Sequence, residues 1–78
     1  MKVWPNPASD VLNVAWNGKG EMEHTSVELC NYFGARLFTS NVEGNNNMVL
    51  SLKNLPPGIY LLKVSQGNYN SVVKVVRN

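Results

Sequence analysis

Apolar residues recur at every second position through most of this chain. In Val11-Leu12-Asn13-Val14-Ala15-Trp16, the side chains of Leu12, Val14 and Trp16 fall on one face. A period of two marks a half-buried strand, because successive side chains leave the backbone on opposite sides. Asn17-Gly18 then supplies a turn signal. Ser26 to Cys30 alternates with Val27 and Leu29 inward, and Asn31-Tyr32-Phe33-Gly34 suits a type I hairpin turn. Arg36 to Ser40 returns as the paired strand, with Leu37 or Phe38 turned to the core. Glu43 to Asn47 reads as a loop by composition.

Met48 to Leu52 alternates again, with Leu50 and Leu52 inward. Pro57-Gly58 fits the two central positions of a type II turn. Ile59 to Ser65 is a long strand in which Tyr60, Leu62 and Val64 share a face. Gln66-Gly67-Asn68 makes a tight turn, and Ser71 to Val76 closes the chain. No stretch joins helix caps to an apolar stripe of 3.6-residue period. Six or seven short strands at this spacing predict an all-β fold, an antiparallel sandwich or a small barrel.

The opening Trp4-Pro5-Asn6-Pro7 stands apart from that alternation. Pro5 and Pro7 cannot donate ladder hydrogen bonds, so they belong at a sheet edge or a strand start. They also hold Trp4 and Asn6 out of the helical region. The expectation is a rigid, extended arm that protects the sheet and sets the direction from which any preceding chain arrives.

Size and charge narrow the function more than they define it. A chain of 78 residues makes one domain, burying about 60–65% of its unfolded surface. With 44% hydrophobic and 15% charged residues it folds rather than staying disordered. A net charge of +2, with Lys and Arg spread along the chain, argues against nucleic acid. One cysteine, Cys30, excludes an internal disulfide and a thiolate-rich metal site. No window approaches the roughly 20 apolar residues that span a bilayer. Lys2 is followed by two apolar residues and Pro5 instead of a signal-peptide core. An export address would therefore lie elsewhere, or be the domain itself.

Little here suggests chemistry. His24, the lone histidine, would need an orienting acid and a second ligand to serve as a base or metal site, and reads as solvated. Cys30 reads as a packed strand thiol, with no histidine in the pattern to activate it. Glu21 and Glu23 straddle Met22 and offer only a minimal calcium site. Tyr32 with Phe33, or Trp4 with Trp16, could stack on sugars or bases, but Trp16 shares the Leu12 face and Phe33 sits in a turn. No glycine-rich phosphate loop opens a helix. The expectation is a non-enzyme with no cofactor and no metal, whose work is to be recognised.

Four stretches, "WPNPASDVLNV", "VELCNYFGARLF", "LKNLPPGIYLLKV" and "SVVKVVRN", together resemble the type A C-terminal sorting domain of the type IX (Por) secretion system of Bacteroidetes. The resemblance runs over nearly the whole chain in the correct order. Pro5, Asn6 and Pro7 match the family's opening, with Trp4 in place of the usual tyrosine. Asn31 stands where aspartate is commoner, and Gly34 matches the turn glycine. Leu55, Gly58 and Tyr60 match the central run, while Lys74, Val75, Val76 and Arg77 match the basic and apolar tail.

That resemblance implies an immunoglobulin-like antiparallel sandwich of about seven strands at the C-terminus of a larger secreted protein. It implies recognition by outer-membrane translocon and shuttle proteins, then removal by a cell-surface sortase that joins the cargo to an anionic lipopolysaccharide. Pro5, Asn6, Pro7, Gly34, Gly58, Tyr60, Lys74, Val75, Val76 and Arg77 become the candidate sorting residues. The final strand is the expected grip: as an edge strand it would offer free backbone groups to a receptor strand, with Lys74 and Arg77 as charges to read. Gly34, Gly58 and Tyr60 could equally serve the fold alone. An adhesion or carbohydrate-binding module with Trp4, Tyr32, Phe33 and Tyr69 as its platform, or an interdomain spacer, are the alternatives. An edge-to-edge dimer through the last strand is conceivable.

Overall fold

The computed structural model describes residues 1–16, 24–43 and 46–78. The Asn17-Gly18 turn and the Glu21 and Glu23 pair lie outside the described residues. The alternating segments become strands β1 (Lys2–Trp4), β2 (Val11–Ala15), β3 (His24–Asn31), β4 (Arg36–Glu43), β5 (Asn47–Ser51), β6 (Gly58–Gln66) and β7 (Tyr69–Arg77). They form a three-stranded sheet of order β1-β2-β5 and a four-stranded sheet of order β4-β3-β6-β7, antiparallel throughout. One apolar cluster joins Leu12, Val14, Trp16 and Leu50 of the first sheet to Val27, Leu29, Tyr60, Leu62, Val64 and Val75 of the second. The domain is therefore a small β-sandwich.

Register follows the alternation. Leu12 lies opposite Leu50 in the smaller sheet. In the larger one Val27 faces Val64, Leu29 faces Leu62, and Tyr60 faces Val75. Slipping any of these strands by one residue would turn its apolar set to solvent, so the buried face fixes the register. Each of these fully buried aliphatic side chains contributes about 1.5–3 kcal/mol. Thr25 and Gln66 are the buried polar pair: they sit opposite one another, and Gln66 Nε2 donates to Thr25 Oγ1 at 2.8 Å. Satisfied in this way, they add no desolvation penalty.

Two glycines are required by the backbone. Gly67, at φ 55°, takes the first central position of the two-residue β6–β7 hairpin, where Gln66 pairs with Tyr69. Gly34, at φ 93°, ends the β3–β4 turn, and its N–H donates to Asn31 O at 3.0 Å. Asn31 Oδ1 also accepts from Phe33 N and Ala35 N, the side-chain turn that made Asn31 a turn residue in the sequence.

Three expectations need correction. The sequence places an arm at Trp4–Pro7 and no strand before it, yet Lys2–Trp4 pairs with Asn13–Ala15 as an edge strand; three residues are too few to show periodicity. In β4 Phe38 lies opposite Leu29 and so shares the inward face, yet it stays 38% exposed, and no residue of that strand is buried. β4 ends the wider sheet, and its Leu37 and Phe38 line an open cleft with Leu29, Val49 and Leu50 instead of closing against them. Finally, the hydrogen-bonded turn before β6 is Leu52–Leu55, with Leu55 N donating to Leu52 O at 3.0 Å. Gly58 begins β6 at φ 158°, far from the roughly +80° that the third position of a type II turn requires.

Candidate functional site

Candidate sorting residues that are scattered through the sequence meet at one end of the sandwich. Asn31 pairs with Tyr60, Tyr60 with Val75, and Gly58 with Arg77. The Asn31–Gly34 turn, the Leu52–Gly58 connection and the tail of β7 therefore share that end. The opening arm reaches it too, because Ala8 forms a parallel bridge to Arg77.

The arm closes part of the β7 edge. Asn6 Nδ2 donates to Lys74 O, and Asn6 Oδ1 accepts from Val76 N, both at 3.0 Å. The side-chain amide thus occupies the place of a backbone peptide in a neighbouring strand. Ala8 continues the seal: its N–H donates to Val76 O at 2.7 Å, and its carbonyl accepts from Asn78 N at 2.8 Å. Ala8 is fully buried, whereas Pro5, Asn6 and Pro7 are exposed. Prolines on either side of Asn6 keep the arm from extending this pairing further.

This corrects the expected free tail. β7 is an edge strand by sheet order, but its edge from the Lys74 carbonyl to the Asn78 N–H is already occupied. Backbone groups alternate in direction along an antiparallel strand. Asn70, Val72, Lys74 and Val76 therefore point away from β6. The Asn70 and Val72 peptide groups and the Lys74 N–H are the outward groups left without a strand partner among the described residues.

Arg77 is also not the free charge that the sequence suggested. Its Nε donates to Leu52 O at 2.8 Å and Leu55 O at 2.9 Å. Nη1 donates to Ser9 O at 2.7 Å and to Asn78 O at 3.1 Å, and Nη2 lies 3.4 Å from Asp10 Oδ1. Only 11% of the side chain is accessible. The guanidinium fork ties the arm, the Leu52–Leu55 turn and the tail into one knot, which suits its planar set of donors.

The remaining candidates divide by exposure. Tyr60 is buried, and its hydroxyl donates to Pro56 O, fixing the loop ahead of β6. Val75 is fully buried opposite Tyr60, and Val76 is half-buried. Gly34 and Gly58 are exposed, and a Cβ at either would meet no atom within 4 Å. Lys74 stands in solvent. Sequence reasoning missed Ala8, Ser9 and Asp10, whose partners Leu52, Val76, Arg77 and Asn78 are far along the chain and leave no local signal.

Among the described residues, His24 and Cys30 stand apart. His24 opens β3, exposed, with Nδ1 2.6 Å from Glu43 Oε1. Cys30 is buried, and its thiol donates to Glu28 Oε1 at 3.3 Å. Burial raises its pKa, the Glu28 hydrogen bond and charge add to that rise, and Lys63 and Arg36 oppose it. Among the described residues no group of three His, Cys, Asp or Glu could hold a metal. Nor do the platform aromatics assemble. Tyr32 and Phe33 meet edge to face at 6.4 Å, Trp4 sits under Lys2 Nζ at 5.7 Å, and Tyr69 lies at the other end of β7. Trp16 is in the core.

No curated protein matches the chain. Residues 2–78 match the family described as the secretion system C-terminal sorting domain. With that match spanning the sandwich from β1 to the tail, the chain belongs to this family and is a type IX secretion sorting signal.

Proposed function

We propose that this is a type A sorting domain of a Bacteroidetes protein, standing at the C-terminus of a larger secreted protein, with β7 as its reading surface. Export across the outer membrane begins when translocon and shuttle proteins bind the folded sandwich. A sortase at the cell surface then removes the domain and joins the cargo to an anionic lipopolysaccharide. One observation supports β7 as the grip: Asn70, Val72 and the Lys74 N–H point outward from the strand that carries the matched tail, with no strand partner among the described residues. Such groups bind another strand through main-chain hydrogen bonds, and the exposed Lys74 ammonium adds a charge to recognise. Gly34, Gly58, Tyr60, Val75 and Arg77 shape this end, and Pro5-Asn6-Pro7 sets its geometry.

Truncation of the tail is a poor test, since removing Val75 and Arg77 would also break the fold. The test is a reporter fused ahead of the domain, in a host with the type IX system, carrying Val72→Pro with Lys74→Glu. The proline removes an N–H that points away from β6, so the β6 ladder stays intact. The expected result is a domain that melts within a few degrees of the parent while its reporter stays in the cell. Full export of the folded variant refutes β7 as the reading surface.

A further inference from the structure

The arm takes hydrogen-bonding groups that a binding strand would need. We propose that Pro5–Ala8 is a strap that comes off the β7 edge before the rest of the fold opens, leaving Lys74–Asn78 to pair with an extended strand of a partner protein. The inference rests on β7 being the reading surface. Its support is a contrast between the strap and the strand it covers.

Between its anchors, Trp4 O on Asn13 Nδ2 and Ser9 O on Arg77 Nη1, the strap holds by four hydrogen bonds: the two of Asn6 to Lys74 and Val76, and the two of Ala8 to Val76 and Asn78. Ala8 is its one buried side chain, and Pro5, Asn6 and Pro7 stand in solvent. β7 is held more firmly, by nine register pairs to β6 and by Val75 in the core. Segments with few buried contacts open locally at a fraction of the global unfolding free energy. The strap therefore opens first, and β7 stays in place when it does.

The exchange favours an incoming strand. The prolines stop the strap at Asn6, so it leaves Asn70, Val72 and the Lys74 N–H unserved. A partner strand running from Asn70 to Asn78 would replace all four strap bonds and also satisfy those outward groups. Partner chemistry follows: an extended, proline-free segment that donates and accepts along its own free edge. Until it arrives the strap hides half of the edge, which limits pairing with the wrong strands.

Two measurements decide the matter. The first is native-state amide exchange on the isolated domain. Ala8 and Val76 amides should exchange together and at least about 100-fold faster than those of Leu62 and Val75. Asn6→Ala, which removes two of the four bonds, should speed Ala8 and Val76 by about 10-fold, and Leu62 and Val75 by no more than its loss of stability in urea predicts, so that the gap between strap and core persists. Strap amides that exchange at the rate of Leu62 in the parent domain overturn the proposal, even if the variant fails to fold.

The second is a competition for export between two reporters in one cell, one carrying the parent domain and one Asn6→Ala. Apparent affinity scales with the fraction of domains already open, so the Asn6→Ala reporter should take the larger exported share. An equal or smaller share for the folded variant also overturns the strap. The failure of the underlying reading is a separate result. If Val72→Pro with Lys74→Glu is exported fully, β7 is not the grip, whatever the exchange rates show.

Discussion

Asn6 and Val76, 70 residues apart in sequence, meet as though they belonged to adjacent strands, with Val76 N–H donating to Asn6 Oδ1 at 3.0 Å. The same amide donates from Nδ2 to the carbonyl of Lys74. Both halves of the amide are used, so the two obvious substitutions should differ. Asn6→Ala should cost about 1–2 kcal/mol in urea unfolding, the net worth of two hydrogen bonds. Asn6→Asp keeps the acceptor but sets a carboxylate against the Lys74 carbonyl, and should cost more at neutral pH than at pH 3. Equal stability of the two variants across pH would remove the donor half from the account.

Arg77 should behave as a structural residue. Arg77→Ala leaves the Leu52, Leu55 and Ser9 carbonyls without their donor, at a cost of about 2–3 kcal/mol. For a domain this small that lowers Tm by roughly 10–20 °C. Arg77→Lys keeps the charge but not the fork, and should recover less than half of the loss. Any export defect of these variants should follow their melting temperature. A domain that melts normally yet stays in the cell would return Arg77 to the recognition surface.

Gly34 and Tyr60 can be sorted in the same way. A Cβ at Gly34 meets no atom within 4 Å, so Gly34→Ala is penalised by its positive φ alone, at about 1–2 kcal/mol. Gly34→Asn should cost less, since asparagine tolerates that region. Tyr60→Phe loses the hydrogen bond to Pro56 and should cost about 1 kcal/mol. Thermal melts beside export assays separate fold from recognition at each position.

Cys30 sets a pH dependence. Burial, then the Glu28 hydrogen bond and charge, raise its pKa, so the fold favours the protonated thiol. Its contribution is complete below the ordinary thiol range and is lost as pH rises beyond that range. The difference in urea midpoint between the parent and Cys30→Ala should shrink between about pH 8 and pH 10. Alkylation by iodoacetamide at pH 8 should be at least about 10-fold slower than in the urea-unfolded chain. A constant difference, or equal alkylation rates, would mean that the thiol is not shielded.

Alternation made most of the core legible. Leu12, Val14 and Trp16, then Val27 and Leu29, then Tyr60, Leu62 and Val64 were all read inward, and all are buried. It failed at β4, because period says which residues share a face but not whether another sheet covers that face. The Pro5 and Pro7 pattern located an arm at a sheet edge. It could not reveal which edge, because the contacts of Asn6 and Ala8 depend on how distant strands stack. Arg77 misled for a related reason: a basic residue near a chain end reads as exposed until the carbonyls of Leu52 and Leu55 are seen to gather around it.

The N-terminal ammonium of Met1 lies 3.1 Å from the Tyr69 hydroxyl, at the start of β7, while Asn78 follows its end. The two termini therefore stand at opposite poles of a body 35 Å long. About 27 Å of strand separates the two, so probes placed at Met1 and at Asn78 would report on opposite ends of one strand.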